Sequence, residues 1–141
     1  VAIYQARGLQ HGDHFRKLPK DARIDPYCTC EITHKPESRI QTKVVTNSGS
    51  PVWLHEADIP NYAPGESLLF SVWHKSALYR DILIGRARLR GLKFDREGGF
   101  EGDLVLFELG RGSKAAIKVR VTVDGHSAMA GGQRRDYALE P

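Results

Sequence analysis

Eight short runs of strand-like composition constrain what this chain can fold into. They cover Val1–Arg7, Tyr27–His34, Ile40–Val45, Val52–Ile59, Ser67–His74, Leu83–Arg90, Asp103–Leu109 and Ala116–Val123. Gly, Pro, Asn and Asp separate the runs, as in turns between strands. In the eighth run Ile117, Val119 and Val121 alternate with basic and polar residues, which is typical of a half-buried strand. The pattern predicts an all-β fold, an eight-stranded antiparallel Greek-key sandwich.

Few other structural elements are expected. The connection Phe94–Phe100 is rich in turn residues and offers at most one helical turn. Four apolar residues near the end of the domain are predicted to lie in its core. These are Phe107, Leu109, Ile117 and Val119.

Length and composition suit one globular domain. The chain has 141 residues, of which 27% are charged and 40% hydrophobic, enough to bury one core. No run is apolar and long enough to predict a membrane-spanning helix. Lysine and arginine exceed aspartate and glutamate by 21 − 17 = 4, which favours anionic partners. Nucleic acid is not expected, because aromatic residues do not alternate with basic ones as on single-strand-binding surfaces.

The sequence divides at about residue 124. Residues 1–124 hold all eight runs and are predicted to form one domain, whereas residues 125–141 are small, polar and charged and are interpreted as a tail or linker. Because the chain begins inside a strand-like run, we expect a module of a longer protein. Cys28 and Cys30 lie two residues apart on one strand face, a poor arrangement for a disulfide. Reduced thiols and an intracellular location are therefore expected.

Short motifs follow one another in a distinctive order. They are Asp-Pro-Tyr at 25–27, Gln-Thr-Lys-Val at 41–44, Ser-Pro-Val-Trp-Leu-His-Glu at 50–56, Val-Trp at 72–73 and Ile-Gly at 84–85. In order and spacing these motifs resemble the C2 domain, an eight-stranded β-sandwich that docks many signalling and trafficking proteins on membranes. The resemblance extends from about Val1 to Val123. It implies the type II strand order, since Asp-Pro-Tyr leads into the second run; a further strand before Val1 would make the order type I.

Calcium-binding members of this family hold the ion with two first-loop aspartates and up to three third-loop aspartates, because calcium takes six to eight oxygen ligands. In the first loop of this chain Asp25 matches one of these positions. Pro19 occupies the other, and Asp21 lies nearby but out of register.

The third loop departs further from the calcium-binding pattern. His74, Ser76 and Ile82 occupy the three aspartate positions, and Asp81 lies one residue away from the last of them. The resemblance therefore implies a degenerate calcium site, with calcium binding weak or absent and no cofactor expected.

Histidines offer an alternative metal site. His11, His14 and His74 could gather with Asp13 at one rim of the sandwich, and zinc accepts such ligands. A His-x-x-His pair in a polar loop is more often a solvated loop. No metal is therefore predicted.

The third loop also carries a candidate membrane-inserting tip. Leu78 and Tyr79 stand between Lys75 and Arg80, and apolar residues flanked by cations suit the headgroup boundary of an acidic bilayer. Calcium-dependent relatives carry an inserting hydrophobic residue near this place. The alternative is that Leu78 and Tyr79 fold back onto the sandwich.

A second candidate lipid-binding surface is implied by the resemblance alone. Protein-kinase-C-type C2 domains bind phosphatidylinositol bisphosphate on their concave face through a Tyr, a Trp and several lysines. Tyr27 and Trp73 match the two aromatic residues and Arg39 one lysine, while two other lysine places hold Thr and Gln. Lys43 lies on the same strand face as Arg39 by alternation.

Arginines of the sixth run could complete this cluster. Arg86, Arg88 and Arg90 lie on one strand face. If that face borders the concave groove, each cation contributes about 1 kcal/mol near an anionic leaflet. The alternative is a solvated face whose arginines pair with neighbouring carboxylates.

The sequence contains no motif of an enzyme. It lacks Gly-x-Ser-x-Gly, a phosphate-binding glycine loop before a helix, and a Cys/His pair in a catalytic context. We interpret the chain as a calcium-independent module that recruits its parent protein from the cytoplasm to acidic or phosphoinositide-containing membranes by peripheral association. The alternative is a scaffolding C2 domain that binds a protein partner and no lipid.

Overall fold

The structure is a computed structural model that describes residues 1–10, 23–107 and 114–126. The strands in this part of the chain are β1 (Ala2–Arg7), β2 (Pro26–Ile32), β3 (Lys35–Gln41), β4 (Val52–Glu56), β5 (Leu68–His74), β6 (Ile82–Leu89), β7 (Phe100–Val105) and β8 (Ala116–Val121), with one helical turn, α1 (Gly91–Phe94), between β6 and β7. Several residues discussed above lie outside the described ranges. They are His11, Asp13, His14, Pro19, Asp21, Leu109 and the tail from residue 127.

Two four-stranded antiparallel sheets form the sandwich. Sheet A has the strand order β4-β1-β8-β7, and sheet B has the order β3-β2-β5-β6. The strand that carries Asp-Pro-Tyr is the second, and β8 fills the place between β1 and β7. The predicted eight-stranded sandwich with type II order is confirmed.

The core lies between the sheets, where alternate residues of each strand point inwards. Phe70 and Val72 of β5, and Ile117 and Val119 of β8, are fully buried. The two cysteines are free and buried in β2. Burial raises the pKa of both thiols, so they are unreactive core residues.

The third strand lies elsewhere than predicted. β3 spans Lys35–Gln41, whereas the sequence pattern predicts Ile40–Val45. Residues 33 and 34 form a tight turn in which His34 adopts a φ of 69°, so the strand resumes at once. Pro36 is accommodated because β3 is an edge strand of sheet B.

The seventh strand is also displaced. β7 spans Phe100–Val105 rather than Asp103–Leu109, because it begins directly after the turn at Gly98 and Gly99. The chain then leaves sheet A, and Phe107 forms an isolated antiparallel bridge with Arg86 of β6. Phe107 is 67% exposed, so its assignment to the core is wrong.

The sandwich has two ends with different elements. Pro26 pairs with His74, so the start of β2 and the end of β5 meet at one end, where residues 75–81 form the third loop (loop 3). At the opposite end Ile32 pairs with Leu68, and α1 follows β6 there. The candidate site lies at the loop 3 end and on the adjoining outer face of sheet B.

Candidate functional site

Two hydrogen bonds join Asp25, at the start of β2, to His74 and Lys75, at the end of β5. The Asp25 N–H donates to Nδ1 of His74 at 3.0 Å, and the Lys75 N–H donates to the carbonyl oxygen of Asp25 at 2.9 Å. His74 is one of the residues that the sequence motifs predict at a calcium-ligand position. Here its ring nitrogen ties the start of β2 to the end of β5.

The carboxylate of Asp25 is engaged by neighbouring donors. Nε of Arg23 donates to both carboxylate oxygens, at 2.8 and 3.1 Å, and the Asn47 N–H donates to Oδ1 at 2.7 Å. Burial is the largest single influence and pushes the pKa of Asp25 up, but these hydrogen bonds and the charge of Arg23 outweigh it and lower the pKa. Asp25 is therefore an anion whose oxygens already accept protein donors.

Asp81 holds loop 3 together. The Tyr27 hydroxyl donates to Oδ2 at 2.5 Å, and the Ser76 N–H donates to Oδ1 at 3.0 Å. Nζ of Lys75 lies 3.7 Å from Oδ2. The hydrogen bond from Tyr27 is the main cause of a lowered pKa at Asp81. Burial, followed by the hydrogen bond to Asp81, raises the pKa of Tyr27 to about 12.

Ser76 and Ile82, which the sequence motifs also predict at calcium-ligand positions, lie within and at the end of loop 3. Oγ of Ser76 accepts the Tyr79 N–H at 3.0 Å, and Ile82 opens β6 opposite His74. Among the described residues no group of three or more His, Cys, Asp and Glu side chains is placed to hold a metal ion. Loop 3 is shaped by side-chain-to-backbone hydrogen bonds at Ser76 and Asp81.

We expect Asp81→Ala to lower the free energy of unfolding by about 2 kcal/mol, because it removes a charged acceptor and leaves the buried Tyr27 hydroxyl without its partner. Loop 3 should open at the same time, since the Ser76 N–H loses its acceptor. Urea unfolding measures the first effect, and hydrogen exchange at the amides of Ser76 and Tyr79 measures the second.

Asp103→Ala is the matched control. Asp103 forms an ion pair with Arg7 at 3.0 Å on the surface of sheet A, where its side chain is 47% exposed. Its loss should change stability by no more than about 0.5 kcal/mol. Unchanged exchange at Ser76 in Asp81→Ala would show that the carboxylate does not organise loop 3.

The tip of loop 3 projects into solvent. Leu78 is 84% and Tyr79 81% exposed, and Lys75 and Arg80 on either side are also exposed. In this structure neither apolar side chain folds back onto the sandwich. The loop therefore presents two apolar side chains flanked by two cations.

The outer face of sheet B brings together residues from separate strands. Leu69, Ser71 and Trp73 alternate along β5 and so share one face. Arg86 pairs with Ser71 and Arg88 with Leu69, and paired residues of antiparallel strands point to the same face. Arg86 and Arg88 therefore share the outer face of sheet B with Trp73.

Arg39 of β3 reaches the same place from the other side. Its guanidinium carbon lies 5.7 Å from the centre of the Trp73 ring, within the range of a cation–π interaction. Nε1 of Trp73 donates to Oγ1 of Thr29 at 3.1 Å, which orients the ring. We call the surface formed by Arg39, Trp73, Arg86 and Arg88 the basic face.

Three other candidate residues lie around the basic face rather than on it. Tyr27 is only 5% exposed. Its hydroxyl donates a hydrogen bond to Asp81, so its role is to hold loop 3 in place. Lys43 is exposed just beyond the end of β3, and Arg90 is exposed where β6 leads into α1. The basic face therefore rests on four residues, with loop 3 at one end.

Arg7 and Arg120 of sheet A differ from Arg88 of sheet B in their ion pairs. On the outer face of sheet A, Arg7 lies 3.0 Å from Asp103 and Arg120 lies 3.7 Å from Glu101. Arg88 on sheet B makes no ion pair within the described residues. Arg88 therefore presents positive charge that no carboxylate in the described part of the chain neutralises.

Sequence reasoning missed Phe107 as a surface residue of this region. Leu104 pairs with Ile117 of the core, and Leu106 is 4% exposed. Alternation from these two leucines would have placed Phe107 outwards. That signal was overlooked because the seventh strand was expected to continue to Leu109.

The chain matches a known protein family and several solved structures. The family model "C2 domain" matches residues 1–103, and no curated protein matches the sequence. A structure of extended synaptotagmin 2 that contains its C2A and C2B domains matches with a TM-score of 0.63 and 21% identity over 86% of this chain and 39% of that chain. The C2A domain of a plant extended synaptotagmin 1 matches with a TM-score of 0.59 and 19% identity over 86% of this chain and 93% of that one.

An enzyme is also among the similar structures. Human GIVD cytosolic phospholipase A2 matches with a TM-score of 0.62 and 15% identity over 87% of this chain, which spans only 16% of the phospholipase chain. Identities this low show a shared fold. No helix among the described residues is long and apolar enough to cross a bilayer.

The family match covers most of the chain, and the sandwich has the strand order that the motifs imply. C2 domains are non-catalytic modules that generally bind membranes or proteins. This chain belongs to the C2 domain family.

Proposed function

We propose that this C2 domain docks on acidic phospholipid or phosphoinositide-containing membranes without calcium and so recruits its parent protein. The observation that carries the proposal is the exposure of Leu78 and Tyr79, at 84% and 81%, between two exposed cations. In the free protein the apolar surface of these side chains is exposed to water, and at the headgroup boundary of a membrane it would be buried.

The expected strength follows from two contributions. Burying an apolar side chain is worth about 1.5–3 kcal/mol, and each cation near an anionic leaflet adds about 1 kcal/mol. Arg80, Arg39 and Arg88 supply the charge. Association costs at least about 4 kcal/mol, so the sum predicts weak, reversible, salt-sensitive docking.

Independence from calcium follows from how loop 3 is held. In the calcium-binding pattern an ion neutralises the carboxylates and orders the loops. Here Tyr27 and the Ser76 amide fix Asp81, and Lys75 lies 3.7 Å from its carboxylate. The local charge is thereby balanced, and the loop has its shape before any membrane is present.

Vesicle co-sedimentation tests the proposal. Vesicles of phosphatidylcholine alone, with phosphatidylserine, and with phosphatidylinositol bisphosphate are each used in calcium and in chelator. We expect binding to acidic vesicles in chelator that weakens with salt. The double substitution Leu78→Ala/Tyr79→Ala should weaken it at least about tenfold.

Leu92→Ala is the matched control, because Leu92 is 73% exposed on α1 at the other end of the sandwich, and it should leave binding unchanged. Binding that requires calcium would contradict the proposed mechanism. The phosphatidylserine and phosphoinositide vesicles together identify the lipid class.

Protein interaction is the second candidate function. Val52 and Leu54 on the edge strand β4 are 54% and 71% exposed, and Val52 pairs with Gln5 in sheet A, away from the basic face. Leu54 has a φ of 49°, a conformation that costs energy for a side chain of this type. If no vesicle binds the domain, this pair is where a protein partner should be sought.

A further inference from the structure

We infer that a cavity at the end of the sandwich opposite loop 3 binds a short peptide in which an apolar side chain lies next to arginine or lysine. We call this cavity the end slot. Its volume is about 440 Å³, which is within the range of ligand-binding clefts. The inference does not depend on membrane docking, because the end slot and loop 3 lie at opposite ends of the sandwich.

Apolar residues form the floor and the walls of the end slot. On the floor, Ile32 of β2 and Leu68 of β5 pair with each other in sheet B, and Val121 ends β8 in sheet A. On the walls, Ile59 and Val123 are half-buried and pack against the core. An apolar side chain that enters the end slot meets these residues and leaves water.

One carboxylate holds the two walls in place. The Tyr62 hydroxyl donates to Oδ2 of Asp95 at 3.0 Å, and Nε2 of His126 lies 2.7 Å from Oδ1. Tyr62 lies between β4 and β5, whereas His126 follows β8, so Asp95 joins two distant segments of the chain. The Tyr62 ring also packs against Phe94, with 5.4 Å between the ring centres. The end slot therefore has its shape before a ligand binds, which lowers the cost of binding.

Carboxylates surround the opening of the end slot. Asp58 and Asp124 line it and are exposed, and Glu56 lies with Asp58 in an adjoining polar hollow. None of the three forms an ion pair with the residues that the structure describes. Arg120 lines the same hollow but is paired with a carboxylate of β7 at 3.7 Å. Even with the α-amine of Val1, negative charge is in excess at the opening, on a chain of net charge +4, and it favours a cationic ligand.

Unpaired backbone groups favour a peptide over a small amine. The N–H groups of Ile59 and Val123 donate to no acceptor in the part of the chain that the structure describes. Both residues lie beyond the ends of their strands, β4 and β8, where pairing within sheet A has stopped. An extended peptide carries carbonyl oxygens that can accept from such donors. The ligand that fits the end slot is therefore a peptide with one apolar side chain and adjacent cations.

NMR titration of the isotope-labelled, intact chain tests the inference. The probe is the blocked peptide acetyl-Gly-Arg-Leu-Arg-Gly-amide, and the comparison peptides carry Ser in place of Leu or Glu in place of both Arg. We expect the Arg-Leu-Arg peptide to shift the amide signals of Ile59, Tyr62 and Val123 and to leave those of loop 3 unchanged. The Ser peptide should bind at least about tenfold more weakly, because it buries no apolar side chain. The Glu peptide should not bind.

Two double substitutions separate the carboxylates of the end slot from the charge of the whole domain. Asp58→Asn/Asp124→Asn should weaken binding of the Arg-Leu-Arg peptide about threefold or more. Glu37→Gln/Asp103→Asn is the matched control, because it also removes two exposed carboxylates and neither of them lines the end slot. It should leave binding unchanged. Thermal unfolding establishes that both variants fold.

The outcomes decide the inference without reference to vesicles. Shifts at the three amides that are lost in Asp58→Asn/Asp124→Asn alone support it. Absence of these shifts, or equal weakening in both double variants, overturns it. Shifts in the amides of residues 127–141 on addition of the peptide would mean that the chain's own tail is displaced from the end slot, and would overturn a partner peptide as the occupant. Each of these results leaves the proposed membrane docking intact, since that docking is measured separately by co-sedimentation.

Discussion

Gly99→Ala is expected to destabilise the domain by about 4 kcal/mol, whereas Gly98→Ala should cost only about 1–2 kcal/mol. Both glycines have positive φ, 66° at Gly99 and 82° at Gly98. A Cβ at position 99 would lie 2.1 Å from the carbonyl oxygen of Val121 and 2.9 Å from Cγ2 of Thr122, while at position 98 nothing lies within 4 Å. The backbone of β8 must therefore move to accept alanine at position 99.

The pair of variants separates conformational strain from close approach. Alanine at 98 carries only the strain of a left-handed backbone, and alanine at 99 adds the clash where β7 begins beside the end of β8. Urea unfolding gives the free energies, and thermal unfolding should show a fall of more than about ten degrees for Gly99→Ala. Equal losses of stability in both variants would mean that β8 moves away from the Cβ at position 99 at no cost in free energy, and would contradict the prediction.

Stability is also expected to fall steeply between about pH 10 and pH 12, with Tyr27 as a main cause. Burial, and then the hydrogen bond to Asp81, raises the pKa of Tyr27 from 10.0 to about 12. The unfolded chain therefore loses this proton first, and stability that is complete below the unfolded pKa is lost as pH rises towards the folded one. A shift of about two units corresponds to about 3 kcal/mol. Tyr62 contributes in the same direction, since burial and Asp95 raise its pKa to about 12.

Urea unfolding at a series of alkaline pH values checks this expectation. Tyr27→Phe is less stable than the wild type at neutral pH, because Asp81 loses a donor, but its stability should fall less between pH 10 and pH 12. The quantity to compare is the slope of unfolding free energy against pH in the wild type and in Tyr27→Phe. The buried thiols affect both proteins alike and therefore cancel in the difference. Tyr79→Phe removes a hydroxyl from a ring that is 81% exposed and should follow the wild type. Parallel slopes in Tyr27→Phe and the wild type would contradict the role of Tyr27.

Sequence patterns predicted most of the sandwich. The fifth and eighth runs begin within one residue of β5 and β8, because long alternating apolar patterns are local and strong. β3 and β7 were misplaced because a single positive φ at His34 and the glycine turn before Phe100 decide where those strands start. Such turns depend on backbone conformations that composition does not specify.

The candidate site was predictable in its parts and not in its assembly. Alternation placed Arg86 and Arg88 on one strand face, and position in the loop identified Leu78 and Tyr79. Asp81 was judged out of register for calcium, but its role as the acceptor that holds loop 3 depends on Tyr27, 54 residues away in the chain. Contacts between residues so far apart depend on strand pairing.

The amino-acid sequence by itself determined that this chain forms a C2 sandwich, because strand alternation and the order of the short motifs can be read along the chain. Only the tertiary structure decided which side chains share a surface. Strand register brought Arg39, Trp73 and Arg88 onto one face, and the crossing of the chain from sheet A to sheet B placed Phe107 beside Arg86. Which strands become neighbours depends on contacts between distant parts of the chain, and no pattern within a single strand encodes it.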